Sequence, residues 1–282
     1  MPPTSLDKLR AQIKHIEGRT STLDGSGNSF LARPEEHPTP SPLWSFGVRE
    51  VDQFFPKGLC AQGLHEITPV AYKDSWATLS FALALASLRA RFDQRPLLWC
   101  SSSFNKAEFG GLYGQGLQRF DLDPARFILI ETKNEHETAF VLAEALKSSH
   151  LCAVIGLIKE PDLTSSRRLS LMAGKGQTPA LLITKPEDTG IKTATTRWQV
   201  ASPPASQSLF SHPAFPQQAP SLAWQVALTR NRQGPVDKNW YLEFPSYEQP
   251  LHKSANKAFH FCLPSPFRNR KSAPFATARK AA

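Results

Sequence analysis

The stretch CAVIGLIKE, residues 152–160, decides the fold, together with ALLIT at residues 180–184. Each holds a near-continuous apolar run of strand length with no polar alternation, so both faces must be buried. Central strands of a parallel sheet, covered by helices on either side, meet that condition. Outward from these runs, short apolar segments alternate with helical patterns from about Trp44 to about Lys185. Strands are expected at Leu64–Thr68, Pro96–Ser101, Phe127–Glu131, Cys152–Ile158 and Ala180–Thr184. Helices are expected at about Asp74–Phe92, Ala107–Phe120, Glu135–Ser148 and Asp162–Ala173. This order predicts an α/β domain with a mainly parallel sheet sandwiched between helices. Beyond Thr184 the helical patterns stop. RWQVA, SLAWQVALT and NWYLEF alternate apolar with polar residues and read as antiparallel strands extending one edge. The Pro-rich stretch Ser202–Pro220 between two of them is expected to be an excursion without regular structure.

The flanks differ in kind. Leu6, Leu9, Ile13 and Ile16 share one face of a short amphipathic helix within residues 1–17. Residues 18–43, loaded with Gly, Ser, Pro and charge, read as a linker. The net charge is +9, and residues 246–282 carry seven Lys or Arg against one acid. These are Lys253, Lys257, Arg268, Arg270, Lys271, Arg279 and Lys280, interleaved with Phe259, Phe261, Phe267 and Phe275. Such a tail is too poor in apolar residues to fold alone, and its basic and aromatic mixture suits DNA or an acidic partner. No apolar run is long enough for a membrane span and the N-terminus lacks a secretion signal, so a cytoplasmic protein is expected. The four cysteines, Cys60, Cys100, Cys152 and Cys262, are far apart and form no metal-binding spacing.

Three passages narrow the family. WSFGVREVDQFFPKGLCAQGLHEI, Trp44 to Ile67, resembles the entry to a RecA core, with Phe46-Gly47, Val51-Asp52, Gly58-Leu59, Gly63 and Glu66-Ile67 in register. YGQGLQRFDLDPARFILIE resembles a passage in the middle of that core. WQVALTRNRQGPVDKNWYLEF resembles its late hairpin, with Arg230-Asn231-Arg232 where RecA carries a basic triplet. Within the superfamily the chain is identified as similar to the ImuA family, on LDKLRAQIKHIEG, LLWC, LYGQGL, LDPAR, DLTSSRRLSL, TRWQV and RNRQGPVDKNWYLE. That resemblance implies a RecA-like domain over residues 44–245. It also implies a role beside an ImuB-type polymerase homologue and an error-prone DnaE-type polymerase in translesion synthesis during the SOS response. RecA and DNA are further partners it suggests.

A working P-loop needs glycines to bring backbone N–H groups onto phosphate, a lysine for the β/γ charge and a hydroxyl for magnesium. The corresponding stretch here, TPVAYKDSWATL from Thr68 to Leu79, has no glycine and no GK[ST] in either register. Trp76 is expected to fill the phosphate cavity. The acid expected at the end of the fourth strand is replaced by Gly156, Leu157 and Ile158, with Glu160 beyond it. The water-activating glutamate after the second strand gives way to Ser101, Ser102 and Ser103, which read as turn and capping residues. The expectation is therefore an adaptor with no catalytic residues, cofactor or metal. A divergent RecA-like ATPase and a SulA-like division inhibitor stay open as alternatives. In RecA filaments the basic triplet reaches a neighbour's ATP, so Arg230 and Arg232, with the first helix, are candidate contacts to RecA. Arg167-Arg168 and Arg197-Trp198 read more simply as solvated arginines and a core tryptophan.

Overall fold

A computed structural model describes residues 43–55, 58–60, 62–176, 178–186, 191–203, 222–236 and 238–244. The first helix, with Leu6, Leu9, Ile13 and Ile16, lies outside the described residues, as do nearly all of the 18–43 linker and the whole 246–282 tail.

The chain enters through β1 (Leu43–Trp44), α1 (Arg49–Asp52) and β2 (Leu59–Cys60), β1 and β2 pairing antiparallel. The carboxylate of Asp52 organises this entry. It accepts the Ser45 hydroxyl and the backbone N–H groups of Phe46 and Gly47 at 2.6, 2.8 and 3.1 Å. Gly47 sits at φ 74°, a left-handed conformation that a side chain disfavours. The Phe-Gly and Val-Asp pairs of the opening motif are thus two halves of one turn.

The core follows as β3 (Leu64–Pro69), α2 (Ser75–Ala90), β4 (Leu97–Ser102), α3 (Ser103–Phe109) and α4 (Gly114–Gln118). Then come β5 (Phe127–Thr132), α5 (Glu135–Ser148), β6 (Ala153–Leu157), α6 (Leu163–Lys175), β7 (Ala180–Ile183), β8 (Thr196–Ala201), β9 (Leu222–Asn231) and β10 (Lys238–Phe244). One eight-stranded sheet runs in the order β10-β9-β8-β3-β7-β6-β4-β5. β3, β7, β6, β4 and β5 are mutually parallel. β6 and β7 are buried at every residue, as their unbroken apolar runs require. Two hydrophobic clusters lie on opposite faces of the sheet. Phe81, Leu85 and Leu88 of α2 pack on one, and Leu142, Leu146 and Leu169 of α5 and α6 on the other. Asn134 caps α5 by accepting the Glu137 N–H, and Asp162 caps α6 by accepting that of Ser165.

Two expectations are corrected. The single helix at 107–120 is two short ones, because Gly110 ends α3 at φ 81° and the chain runs extended to Tyr113 before turning again. RWQVA is antiparallel on one side only: β8 pairs parallel with β3 and antiparallel with β9, and β9 in turn pairs antiparallel with β10. Alternation reports which faces are wet, not strand direction, so sequence could not separate the two. Trp198 of β8 is fully buried. No helix among the described residues is long and apolar enough to cross a membrane.

Candidate functional site

In parallel α/β sheets, ligands collect where strands end and helices begin. Here that place lies beyond Pro69, between β3 and α2. The chain leaves β3 through Val70, makes one 3₁₀ turn at Tyr72–Asp74 and enters α2 at Ser75. Val70 donates its N–H to the Val200 carbonyl at 2.9 Å, which holds the turn against β8. Asp74, only 2% exposed, accepts the N–H of Ala71 at 3.2 Å and that of Ser202 at 2.9 Å. The Thr78 hydroxyl donates to the Asp74 carbonyl and the Ser75 hydroxyl to that of Tyr72, at 3.0 and 2.6 Å. An internal carboxylate thus sits at the mouth of the helix where a P-loop would present N–H groups to phosphate, and its charge repels a second anion.

Trp76 does not fill a phosphate cavity. It is 57% exposed and meets the Phe109 ring edge-on at 5.6 Å. In the first turn of α2 the inward positions belong to Ser75 and Thr78, and a residue between them points out.

The other strand ends are built as follows from the same stretches. β6 ends at Leu157, and Glu160 lies beyond it, exposed and paired with Lys185. Ser102 accepts the Asn105 N–H at 3.2 Å and so caps α3, as the serine run suggested. Asn105 and Glu135, which sequence reading missed, tie these ends together. Asn105 Nδ2 donates to Glu135 Oε1 at 3.1 Å and to the Leu157 carbonyl at 3.2 Å. Glu135 also accepts the Lys159 N–H at 3.0 Å. No motif marks either residue, since their partners lie 24 to 52 positions away.

A cavity of about 230 Å³ opens beside the turn, lined by Pro69, Tyr72, Thr78, Glu108, Lys159 and Thr184 among others. Glu108 bridges across it, ion-paired with Lys159 and accepting the Tyr72 hydroxyl at 3.0 Å. The hydrogen bond from Lys159 holds the Glu108 carboxyl below its usual range, and the bond to Glu108 raises the Tyr72 phenol. Lys159 also lies over the Phe104 and Phe109 rings at 4.8 and 5.4 Å. The two lysines that line this cavity, Lys159 and Lys185, are therefore already paired, with Glu108 and Glu160.

Arg230 and Arg232 stand at the other end of the sheet, where β9 runs beside the start of β8. Arg230 Nε donates to the Ala194 carbonyl and Arg232 Nη2 to that of Thr193, both at 2.8 Å. Nearby, Arg197 pairs with the buried Glu66 at 2.7 Å, and Glu66 accepts the Ile191 N–H. Burial, and then the neighbouring Arg232 and Arg197, lower the Arg230 pKa. The pair holds the 191–195 segment and does not approach the 70–74 turn of its own chain. Arg168 pairs with Glu144 at 3.0 Å and lies over Phe140, and His65 is buried against the Thr196 hydroxyl at 2.8 Å. Cys100 and Cys152 are buried free thiols, each pushed up to about 12 chiefly by burial.

No family model matches the chain. Two proteins from strains of Caulobacter vibrioides, each named Protein ImuA, are 31% identical to it over 140 residues. The match covers 49% of this chain and 55% of theirs, so the chain spans about half the length of the curated relatives it matches. Among solved structures, the crystal structure of the RadB recombinase is similar, with a TM-score of 0.51 and 15% identity over 72% of this chain and 96% of that one. At that identity the likeness establishes the RecA-like fold alone.

Proposed function

We propose that this chain, a homologue of the ImuA proteins with a RecA-like fold, is a non-catalytic accessory protein of error-prone translesion DNA synthesis. It works beside an ImuB-type polymerase homologue and a DnaE-type polymerase in the SOS response, with RecA and DNA as further contacts. The observation that carries this reading is the Asp74 carboxylate, which takes the Ala71 and Ser202 N–H groups at the start of α2. A helix start occupied by the chain's own anion offers phosphate a repulsive site. The likeness to ImuA supplies the partners, and the RecA-like fold is common to motors and adaptors alike, so the site must carry the distinction.

Two experiments test it. Affinity capture of the full chain from DNA-damaged cells should bring down the ImuB-type protein, and capture that never contains it overturns the partner assignment. A steady-state ATPase assay, with and without single-stranded DNA, should show no turnover above background. Turnover that co-purifies with the chain and changes with Asp74→Asn would make it a divergent ATPase instead.

A further inference from the structure

A second cavity, of about 220 Å³, lies between α2 and the α3–α4 excursion. Its walls are aromatic and aliphatic: Trp76, Leu79, Trp99, Phe109, Tyr113 and Leu117. Trp76 and Tyr113 are 57% and 65% exposed and stand where the cavity meets solvent. Three polar side chains also line it. Ser80 is committed, accepting the Trp224 Nε1–H at 2.8 Å and donating to the Ala77 carbonyl. Ser101 and Asn105 complete the set.

Asn105 is fully buried, and its Nδ2 donates to two acceptors, Glu135 Oε1 and the Leu157 carbonyl. Two acceptors on one atom fix which end of the amide is nitrogen. The other end, Oδ1, is a buried acceptor without a partner among the described residues. Folded chains rarely leave such an atom unmet, and a ligand is one of the standard reasons for it.

We propose that this cavity binds a purine base, with its exocyclic amine donating to Asn105 Oδ1 and its ring lying among Trp76, Phe109 and Tyr113. An unmet acceptor beside aromatic walls selects a flat ring that carries an N–H donor. The volume falls short of the ~300 Å³ at which drug-sized sites begin, so a fused ring fits and a whole nucleotide does not. The lining carries no cationic side chain, so a phosphate finds no counter-charge within the cavity. Beside the cavity the Lys106 side chain passes 3.7 Å from the position a Cβ on Gly111 would take, with its ammonium paired to Glu131. The inference stands apart from the accessory role, and either can fail alone.

The test is calorimetric titration of the full chain with adenosine, purine riboside, indole and a short oligo-dA. Adenosine should bind, and purine riboside, which lacks the amine, about tenfold more weakly, the worth of one neutral hydrogen bond. Trp76→Ala, at an exposed position, should weaken adenosine roughly five- to hundredfold, as lost base stacking does. Ser101→Leu, which fills the cavity, should abolish binding without lowering the melting temperature. These two variants avoid Asn105, whose amide also braces Glu135 and Leu157. An oligonucleotide that binds more tightly than adenosine assigns the base to a strand, and equal affinity assigns it to a free nucleoside. The proposal is overturned if adenosine does not bind at millimolar concentration. It is equally overturned if indole or purine riboside binds as well as adenosine, or if both variants bind like the parent.

Discussion

At the scale of single residues, buried charges hold the joints of the sheet. Asp93, just past α2, accepts Arg89 Nη2 at 3.1 Å and Arg95 Nε at 2.9 Å, with almost no exposure. The Arg126 guanidinium closes the joint by donating to the Ala90 and Arg95 carbonyls at 3.2 and 2.9 Å. Burial alone would raise the Asp93 carboxyl, but the hydrogen bonds and charge of Arg95, with Arg89, outweigh it and hold it below its ordinary value. A depressed folded value means the carboxylate stabilises the fold above its unfolded pKa of about 3.9. That contribution is lost as the pH falls through the folded value. Asp93→Asn should therefore cost about 3 kcal/mol at pH 7, since it leaves buried arginines without their anion. Denaturation curves of parent and variant should converge below about pH 4, and a gap that stays constant down to pH 2 would disprove the assignment.

At the scale of elements, β8 is the joint between the parallel core and the antiparallel extension. Its Trp198 ring meets Phe46, Phe55, Phe81 and Trp240 at 5.4, 5.7, 5.9 and 6.2 Å. These partners come from the entry segment, α2 and β10, so one indole ties together elements from Phe46 to Trp240. Its Nε1–H is satisfied by the Thr196 hydroxyl at 3.1 Å, which lets the ring be fully buried. Trp198→Ala should lower stability by about 3–5 kcal/mol, the usual result of truncating a buried aromatic. Urea titration followed by far-UV circular dichroism measures this, and a loss below about 1 kcal/mol would mean the cluster is not cooperative. The sequence suggested a core tryptophan from its neighbour Val200, but it did not show that four other rings converge on it. Those rings lie too far apart in the chain for any local pattern to link them.

At the scale of the whole molecule, the distribution of function remains a proposal with one sharp consequence. Arg230 and Arg232 spend an N–H each on the carbonyls of Ala194 and Thr193, at the end of the sheet away from the 70–74 turn. If the likeness to RecA extends to assembly, they meet the ATP-bearing end of a RecA filament. Arg230→Ala with Arg232→Ala should then lower affinity for ATP-bound RecA and leave binding to ADP-bound RecA unchanged, as sedimentation with filaments would measure. Equal affinity of variant and parent for the ATP-bound form excludes this contact, and a fallen melting temperature would reveal a loosened 191–195 segment instead. By itself, the sequence determined the layered α/β architecture, because burial on two faces leaves its mark in unbroken apolar runs such as CAVIGLI. It also determined that the stretch Thr68–Leu79 holds no glycine and no GK[ST], because those are matters of residue identity. Only the tertiary structure decided that β8 runs parallel to β3, that Trp76 faces solvent, and that Asp74 takes the Ser202 N–H. It alone brought Asn105 to Glu135 and Leu157. Such contacts join residues tens to more than a hundred positions apart, and a chain read in order carries no record of which distant groups folding will place side by side.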